Sequence, residues 1–504
     1  MAFARNLRSL VRGMALAGVL MGSTLGSAFA EEVSIALASN FQSLDPHTPS
    51  VVGTELNIVS HIYSPLILMG PNIDLQPALA ESWTAIEPTV WQFVLREGIT
   101  FPSGEAVTSD VIKWNFERLR NPETKASWAP RYAPIERIDI VDDRTFNMVT
   151  TAPFPALPAQ MTMFFIMSPE WAASHNPVTE ASGTGPYELV EFVPGSHVQL
   201  KARADYFGEK PAFEDAVFRI IPEPAARIAG LMTGELDLIV GFPTSEIERL
   251  TANENVAAGS IPSNRVNLVR FNTDIAPFHD NHKIRLALNY AVDKQAILDG
   301  VWGGGSTISN CQLINKNYFG YNPDLQPIPY DPEKARALLA EAGYPNGLSL
   351  DFQVPRGRYL QGEEISQVIA SYLEAVGITV NIIEHEFSTY MQMSLNRQMP
   401  QMAYSGIAWP TWDADGQLTA MQPGKDAFSY YDSAEFGRVM DLARVEPDVE
   451  KRKALYKEAT EVMCADPVGI FLFDQPLTYA HSKRISWQAR GDDFLRAYDM
   501  APAQ

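Results

Sequence analysis

The order of polar and apolar residues along the chain predicts many short strands. Residues 31–38 alternate between polar and apolar side chains, which is the pattern of a half-buried strand. Trp91, Phe93 and Leu95 lie on one face of a second extended stretch, which begins at Val90. Further short runs of the same kinds predict strands at 198–202, 216–221, 350–354, 378–382 and 402–408.

Apolar residues at intervals of three and four predict helices between these strands. Thr108 or Ser109 is a suitable N-cap for the first helix, and Gly234, Gly343 and Gly377 follow three others at positions where helices commonly stop. Because strands and helices alternate through the second half of the chain, the predicted fold class is α/β. The predicted helices cover 110–119, 225–232, 284–298, 332–342 and 363–376.

The first thirty residues have the three parts of a secretory signal peptide. Arg5, Arg8 and Arg12 form a basic start, a mostly apolar stretch follows at 14–25, and an AFA sequence ends at Ala30. No other stretch approaches 18 uninterrupted apolar residues, the length that a membrane span needs. We therefore predict a signal peptide over residues 1–30, cleavage near Ala30, and a periplasmic mature protein.

Composition narrows the class of protein further. The 504 residues include 39 basic and 60 acidic ones, so the formal charge is −21, and it becomes −24 once the three arginines of the signal peptide are removed. This sign argues against a nucleic-acid partner. Two cysteines, Cys311 and Cys464, exclude a disulfide scaffold and a cysteine-rich zinc module. Export permits a disulfide between them, and the sequence leaves open whether they are bridged or free.

The sequence lacks the common motifs of catalytic and metal chemistry. It contains no GxSxG nucleophile elbow and no phosphate-binding GxxxxGK[ST] loop. His279 and His282 form an HxxH pair without the glutamate of a zinc protease, and the DADG sequence at 413–416 has its glycine too early for an EF-hand loop. We therefore predict no catalytic residue, no cofactor and no metal site. A secreted hydrolase that uses two carboxylates remains the alternative from another class, because only the fold sets their separation.

Two loops carry the residues best suited to hold a small ligand. One follows the predicted strand 350–354 and the other follows the run 402–408, so both lie where open α/β sheets bind ligands. Arginine can bind a carboxylate through two parallel hydrogen bonds, and tryptophan supplies a flat apolar wall. The alternative is that Arg356 pairs with a local aspartate and the tryptophans belong to the core. The candidate ligand-binding residues are Arg356, Arg358, Tyr359, Trp409, Trp412 and Asp413, with Asn40 and Phe41 after the first strand.

A series of short segments, taken in order, resembles a known family. The segments are LDPH at 44–47, IYSPL at 62–66, LQPALAESW at 75–83, FVLREGITF at 93–101, SGE at 103–105, SDV at 109–111, GTGPY at 183–187, DYF at 205–207, TGELD at 233–237, FNT at 271–273 and IRLALNYAVD at 284–293. Together they resemble the extracellular solute-binding proteins of family 5, the peptide, nickel and opine receptors of ABC importers. The resemblance covers essentially the whole mature chain.

The resemblance implies a two-lobed periplasmic binding protein fold of the type II-like kind, with three discontinuous domains. The first lobe (domain I) would comprise residues 31–72, 182–278 and 478–504, with domain II inserted at 73–181. The second lobe (domain III) would comprise residues 279–477. The ligand would be enclosed between the lobes by closure about a hinge.

The resemblance also assigns roles to single residues. In similar peptide receptors an arginine at the position of Arg356 holds the ligand carboxylate. Those receptors hold the amino group of the peptide with an aspartate, and Trp409 or Pro410 occupies the matching place here, whereas Asp413 matches a downstream aspartate that holds no ligand. This departure argues against a dipeptide with a free amino terminus and leaves capped, sugar-linked and opine-like anions open.

We therefore predict a non-enzymatic receptor of an ABC importer. It would capture a peptide or a peptide-like anionic small solute and deliver it to permease subunits in the inner membrane. The alternatives within the family are a receptor for an opine or sugar conjugate and a receptor for a nickel chelate. The expected partners are a small molecule or short peptide and the permease, with no nucleic acid, and the protein is expected to be a monomer.

Overall fold

The computed structural model describes residues 32–48, 52–126 and 129–503, so the predicted signal peptide lies outside the described residues. Within these ranges every helix is too short or too polar to cross a bilayer. The strands are β1 (Glu32–Leu37), β2 (Ile67–Met69), β3 (Leu75–Pro77), β4 (Ala80–Glu87), β5 (Val90–Leu95), β6 (Ile135–Ile140), β7 (Thr145–Thr150), β8 (Tyr187–Val193), β9 (His197–Ala202), β10 (Asp215–Ile220), β11 (Leu238–Val240), β12 (Val256–Phe271), β13 (Leu348–Pro355), β14 (Ile378–His385), β15 (Met402–Ile407), β16 (Gly469–Ser482), β17 (Ile485–Ser486) and β18 (Ala501–Pro502).

Helices separate many of these strands. They are α1 (Val52–Ile62), α2 (Ser109–Arg120), α3 (Leu157–Gln160), α4 (Pro169–Ala172), α5 (Pro224–Thr233), α6 (Glu246–Thr251), α7 (His282–Ala291), α8 (Lys294–Trp302), α9 (Pro332–Glu341), α10 (Gly362–Ala375), α11 (Phe387–Leu395), α12 (Ala414–Leu418), α13 (Ala434–Val445) and α14 (Val449–Ala465). The predicted α/β class is confirmed. Thr108 caps α2 by accepting a hydrogen bond from Val111 N, as its position predicted.

One predicted helix is divided in two. The continuous apolar spacing over 284–298 predicted a single helix, whereas the structure has α7 and α8 with a break at Val292 and Asp293. The Asp293 carboxylate accepts a hydrogen bond from Ala296 N at 3.0 Å and so caps α8. Both helices bury their apolar residues in the same core, which is why the apolar spacing continues across the break.

A ten-stranded sheet runs through the whole molecule in the order β14-β13-β15-β12-β16-β11-β1-β10-β9-β8. At its centre β12 and β16 pair in antiparallel fashion. Their register is regular up to Pro262 opposite Pro476, is interrupted, and resumes at Val266 opposite Asp474. The two strands therefore form a ribbon with an irregularity at residues 263–265, and such bulges bend a strand locally.

Separate cores lie on the two sides of this irregularity. Two large cores are built almost entirely from residues 266–473, which we call the carboxyl-terminal body. The other described residues form the amino-terminal body, with one core around β1 and β10 and another under the four-stranded sheet β4-β5-β7-β6. The ribbon of β12 and β16 joins the two bodies.

A disulfide lies within the carboxyl-terminal body. It joins Cys311, in the segment after α8, to Cys464 near the end of α14, and their Cα atoms are 5.1 Å apart. The bridge spans a sequence separation of 153 residues. Since both cysteines belong to one body, the disulfide does not link the two bodies.

Candidate ligand-binding cleft

At the junction of the two bodies, each body contributes a side chain that packs in a core of the other. Trp409, from the loop after β15, packs in the amino-terminal core that contains Phe41, whereas Met69, from β2, packs in the carboxyl-terminal core that contains Trp412. A cavity of about 20 Å³ remains between them, beside Pro410. This volume accommodates about one water molecule. This cavity is therefore too small to hold a peptide or another solute of several atoms.

Arg131 of the amino-terminal body holds the same loop from the opposite side. Its guanidinium lies 4.2 Å from the centroid of the Trp409 ring. It also donates hydrogen bonds to the carbonyl oxygen of Gly416 at 2.7 Å and to Oδ2 of Asp426 at 3.1 Å. Burial lowers the pKa of Arg131, and the carboxylate of Asp426 opposes that shift. One side chain thus makes three contacts across the cleft.

The two loops that carry most of the candidate residues leave the sheet at one edge. β13 and β15 are parallel neighbours, with Phe352 opposite Met402. β13 ends at Pro355 and β15 ends at Ile407, so the loops that follow begin close together. This placement matches the strand-end position on which the candidate residues were chosen.

Arg356 lies on the outer side of its loop. Its side chain is 65% exposed, and its Nε donates a hydrogen bond to Oε2 of Glu384 at 2.8 Å. Glu384 belongs to β14 and stands opposite Val354 of β13, so the pair is local. The structure therefore places Arg356 in a surface ion pair.

Arg358, two residues further on, is half-buried. Its guanidinium lies 5.5 Å from the ring centroid of Tyr359 and 5.2 Å from that of Phe387. Its Nε is buried and has no hydrogen-bond partner among the described residues. Burial, together with the neighbouring positive charge of Arg265, lowers the pKa of Arg358 to about 10.

Arg265 stands in the irregular part of β12, between the two bodies. It donates to the carbonyl oxygen of Gly406 at 3.1 Å and to Oδ2 of Asp493 at 3.2 Å, and its guanidinium lies 6.0 Å from the Tyr359 ring centroid. A Cβ atom at Gly406 would come within 2.7 Å of Arg265 Cδ and 2.8 Å of Tyr359 Cε1. Glycine at 406 is therefore what lets these two side chains cross β15 so closely.

The segment 490–499 contributes Asp493 from the amino-terminal body. Asn57, on α1, donates to the carbonyl oxygen of Asp493 at 3.1 Å and accepts from Leu495 N at 2.5 Å. Arg496 in the same segment donates to the carbonyl oxygen of Met69 at 3.0 Å. These contacts fix the segment against α1 and β2, so that the Asp493 carboxylate meets Arg265 at the junction of the two bodies.

The second loop divides its residues between the cleft and the interior. Trp412 is 3% exposed and packs against Tyr318 at a centroid distance of 5.0 Å. Asp413 is buried, caps α12 through Asp415 N at 2.9 Å, and forms an ion pair with Arg452 at 2.5 Å. Burial raises the pKa of Asp413 and the Arg452 charge opposes that shift. Asp413 thus belongs to an internal ion pair of the carboxyl-terminal body.

The two candidates after β1 have different surroundings. Phe41 is 1% exposed and stacks on Phe192 at 5.3 Å within the amino-terminal core. Asn40 is exposed and accepts a hydrogen bond from Phe41 N at 2.8 Å. The structure brings Arg358, Tyr359, Trp409 and Trp412 to the junction of the bodies, while Arg356 and Asn40 lie at the surface and Phe41 and Asp413 lie in the interior.

Arg265 and Asp493, which complete the charged part of the cleft, were not among the residues predicted from the sequence. The signal for Arg265 is weak, since it is one of two arginines within a strand that also contains other polar residues. Asp493 lies near the end of the chain, outside any predicted element. Among the described residues, one group of side chains lies close enough together to ligate a metal, His279, Asp280 and Asp432, and all three are exposed.

Comparisons with known proteins agree with this architecture. A model of the bacterial extracellular solute-binding proteins, family 5 middle region, matches residues 74–429. The dipeptide-binding protein of Escherichia coli is 30% identical over 428 residues, covering 77% of this chain and 78% of its own length. Heme-binding protein A of Haemophilus influenzae is 28% identical over 449 residues, covering 82% of each chain.

Solved structures share the fold. The periplasmic binding protein DppA of Helicobacter pylori, associated with an ABC transporter and solved with the peptide STSA, superposes with a TM-score of 0.85 at 23% identity. The match covers 94% of this chain and 98% of that one. The two-lobed periplasmic binding protein fold that the sequence implied is thereby confirmed.

Proposed function

The chain belongs to family 5 of the bacterial extracellular solute-binding proteins, and on this premise we propose that it is the substrate receptor of an ABC importer. It binds a solute between its two bodies, closes about a hinge, and presents the closed form to permease subunits in the inner membrane. It acts as a monomer, without enzymatic turnover, in the periplasm after cleavage near Ala30.

The observation that carries this proposal is the ribbon between the two bodies. β12 and β16 cross from one body to the other, and their register breaks at residues 263–265. We assign the hinge to this break. The predicted domains, at 31–72 with 182–278 and 478–504, at 73–181, and at 279–477, provide the two lobes, and the hinge at residues 263–265 lies within the range predicted for the first lobe, 14 residues before the predicted start of the second.

The charges of the cleft favour an anionic solute. The guanidiniums of Arg265 and Arg358 both lie beside the Tyr359 ring, and one carboxylate, Asp493, pairs with Arg265. Tyr359 provides aromatic surface beside these guanidiniums, and Trp409 and Trp412 provide more at the junction of the bodies. Guanidinium groups bind carboxylates strongly, and aromatic rings bury apolar groups of a ligand. We infer that the solute is a peptide or a peptide-like anion.

A second candidate, an opine or sugar conjugate, is favoured by the position of Asp413. Its carboxylate is already committed to Arg452 and to the cap of α12. The carboxylates of Asp492 and Asp426 are likewise paired, with Arg490 and Arg131. None of these three carboxylates is therefore free to hold the ammonium group of a peptide with a free amino terminus. A nickel chelate ranks third, because the His279 group is at the surface.

A thermal-shift screen tests the proposal. The mature protein is tested with dipeptides, STSA, N-acetylated dipeptides, glutathione, opines, heme and a nickel–histidine complex. A ligand at 100 times its Kd stabilises the folded state by about 2.7 kcal/mol, which a melting curve detects. One or more anionic solutes are expected to raise the melting temperature and to be recovered unchanged. A solute that is consumed on incubation would instead support the carboxylate-dependent hydrolase.

A further inference from the structure

Three charged groups from different parts of the molecule meet at the hinge. Arg265 stands in the irregular part of β12, Arg358 belongs to the carboxyl-terminal body, and Asp493 belongs to the amino-terminal body. Arg265 donates to Oδ2 of Asp493 at 3.2 Å. The positive charge of Arg265 and the negative charge of Asp493 both act on the Arg358 guanidinium, in opposite directions. Asp493 thus accepts a hydrogen bond from Arg265, whereas it acts on Arg358 only through its charge.

Of these three residues, Arg358 has the fewest polar interactions. Its side chain forms no hydrogen bond or ion pair with another described residue, although its Nε is buried. It is held only by the faces of the Tyr359 and Phe387 rings. A buried N–H donor such as Nε is unfavourable without an acceptor, and a carboxylate is the acceptor that fits a guanidinium fork. A carboxylate of a ligand would therefore supply the hydrogen-bond acceptor that Arg358 lacks among the described residues.

We propose that Arg265 and Arg358 form a carboxylate subsite of the cleft, and that Asp493 is its internal counter-ion, which a carboxylate of the solute displaces from Arg265. This inference rests on the proposed receptor function and names the residues that determine its specificity. Because Arg265 lies in the hinge and Arg358 in one body, an incoming carboxylate that joins both guanidiniums stabilises the closed arrangement. Neutral and cationic solutes cannot make this exchange and are selected against.

The backbone at Asp493 makes the test practicable. Its φ is +64°, a left-handed conformation that glycine adopts without strain. Asp493→Gly therefore removes the carboxylate while keeping the local backbone conformation, and it leaves a gap beside the Arg265 guanidinium. The gap has room for a small free carboxylate, so acetate should take the place of the missing side chain.

The experiment is chemical rescue measured by thermal unfolding of the mature protein without solute. Asp493→Gly and wild type are melted in sodium acetate and in sodium chloride at equal ionic strength. Acetate at about ten times its Kd would stabilise the variant by about 1.4 kcal/mol, a rise of about 1–2 °C for a chain of this size beyond any rise in wild type. Adding Arg358→Gln to Asp493→Gly should abolish that extra rise.

A neighbouring ion pair supplies the matched control. Glu384→Ala frees Arg356 in the same loop, but at the surface, so acetate should add no more than in wild type. Equal acetate effects in wild type, Glu384→Ala and Asp493→Gly would overturn the subsite, and so would an extra rise that survives Arg358→Gln. If Asp493→Gly does not fold, Asp493→Asn carries the same comparison, because asparagine tolerates a left-handed backbone.

The rescue measurement needs no transported solute. It can fail while the thermal-shift screen finds a ligand, in which case the receptor function stands and the subsite is wrong. It can also succeed while the screen finds no ligand, in which case the subsite stands and the proposed function loses support. The two proposals are therefore tested separately.

Discussion

Arg356 and Arg358 are separated by one residue on the same loop, yet their surroundings are opposite. Arg356 is 65% exposed and has a partner, Glu384, at 2.8 Å. Arg358 is half-buried, its guanidinium lies against the rings of Tyr359 and Phe387, and its buried Nε has no partner among the described residues. Arg356 therefore has an acidic partner in the absence of a ligand, whereas Arg358 has none. A position at a strand end indicates which loop contacts the ligand. Within that loop, a buried donor without an acceptor indicates which residue is available to bind it.

Two buried aspartates show the same contrast with negative charge. Asp413 is paired with Arg452 at 2.5 Å and belongs to the framework of one body. Asp474, on β16 beside the hinge, is 8% exposed, and its carboxylate forms no ion pair or hydrogen bond with another described residue. Burial raises the pKa of Asp474 to about 7, and the charge of Lys316 opposes the shift. The paired aspartate stabilises the fold as a charged group, whereas burial without a partner shifts the pKa of the unpaired aspartate towards neutral pH.

Breaking the buried pair is expected to give the largest change. Asp413→Asn leaves the Arg452 guanidinium buried without its counter-ion and should lower the free energy of unfolding by about 3–5 kcal/mol. Chemical denaturation of the ligand-free protein measures this loss. The control is Glu435→Gln, which breaks the exposed pair with Arg438 on α13 and should change stability by about 0.5 kcal/mol or less. Equal effects of the two variants would contradict a framework role for Asp413.

The comparison of the two arginines is sharpened by their effects on affinity. Arg358→Gln should weaken binding of an anionic solute from the screen by about 2–5 kcal/mol, which is about thirtyfold to several thousandfold, because the solute carboxylate loses a buried charged partner. Arg356→Gln should change affinity by about threefold or less. Calorimetric titration of both variants with the same solute decides between them. A larger loss for Arg356→Gln would return the anchor to Arg356, as the family resemblance implied.

The unpaired aspartate should make stability depend on pH. The folded-state pKa of Asp474, about 7, lies above the ordinary value of 3.8, so the folded protein retains a proton that the unfolded chain releases between pH 4 and pH 7. Stability contributed by the protonated group is therefore complete below about pH 4 and lost as pH rises through 7. Asp474→Asn should stabilise the protein at pH 8 by about 1–3 kcal/mol and have little effect at pH 4. A pH-independent effect in denaturant titrations would show that burial of the charge is not the cause.

The contact of Arg131 across the cleft should give the smallest effect. Arg131→Met removes a desolvated cation from the face of the Trp409 ring and the hydrogen bond that Arg131 donates to Asp426. Because both contacts cross the cleft, their loss should disfavour closure and weaken solute binding by about 1–2 kcal/mol. A double-mutant cycle with Asp426→Asn measures how much of that loss belongs to this pair. Arg137→Met, at an exposed ion pair of the same body, is the control and should leave affinity unchanged. Strict additivity of the two cleft variants would show that the pair contributes nothing.

Much of the fold was predictable because it depends on local pattern. Alternating residues identified β1, and helical spacing with a following glycine identified α9 and α10. Asp293 was a visible capping residue, but the apolar spacing on both sides concealed the break that it marks.

The charged part of the cleft could not be predicted in this way. Arg265 meets Asp493 across 228 positions of sequence, and neither residue has a local signal. Trp409 was correctly expected after a strand, but the sequence could not show that it packs in the core of the opposite body. Contacts between distant segments depend on how the two bodies pack together, and a short stretch of sequence does not contain that information.

Solution scattering with and without an anionic solute tests hinge closure on a ligand most directly. Saturation with a solute found in the screen should reduce the radius of gyration of the wild-type protein, since the two bodies rotate towards each other about residues 263–265. The same concentration should produce a smaller reduction in Arg358→Gln. Scattering curves that are identical with and without a solute proven to bind would contradict closure about this hinge.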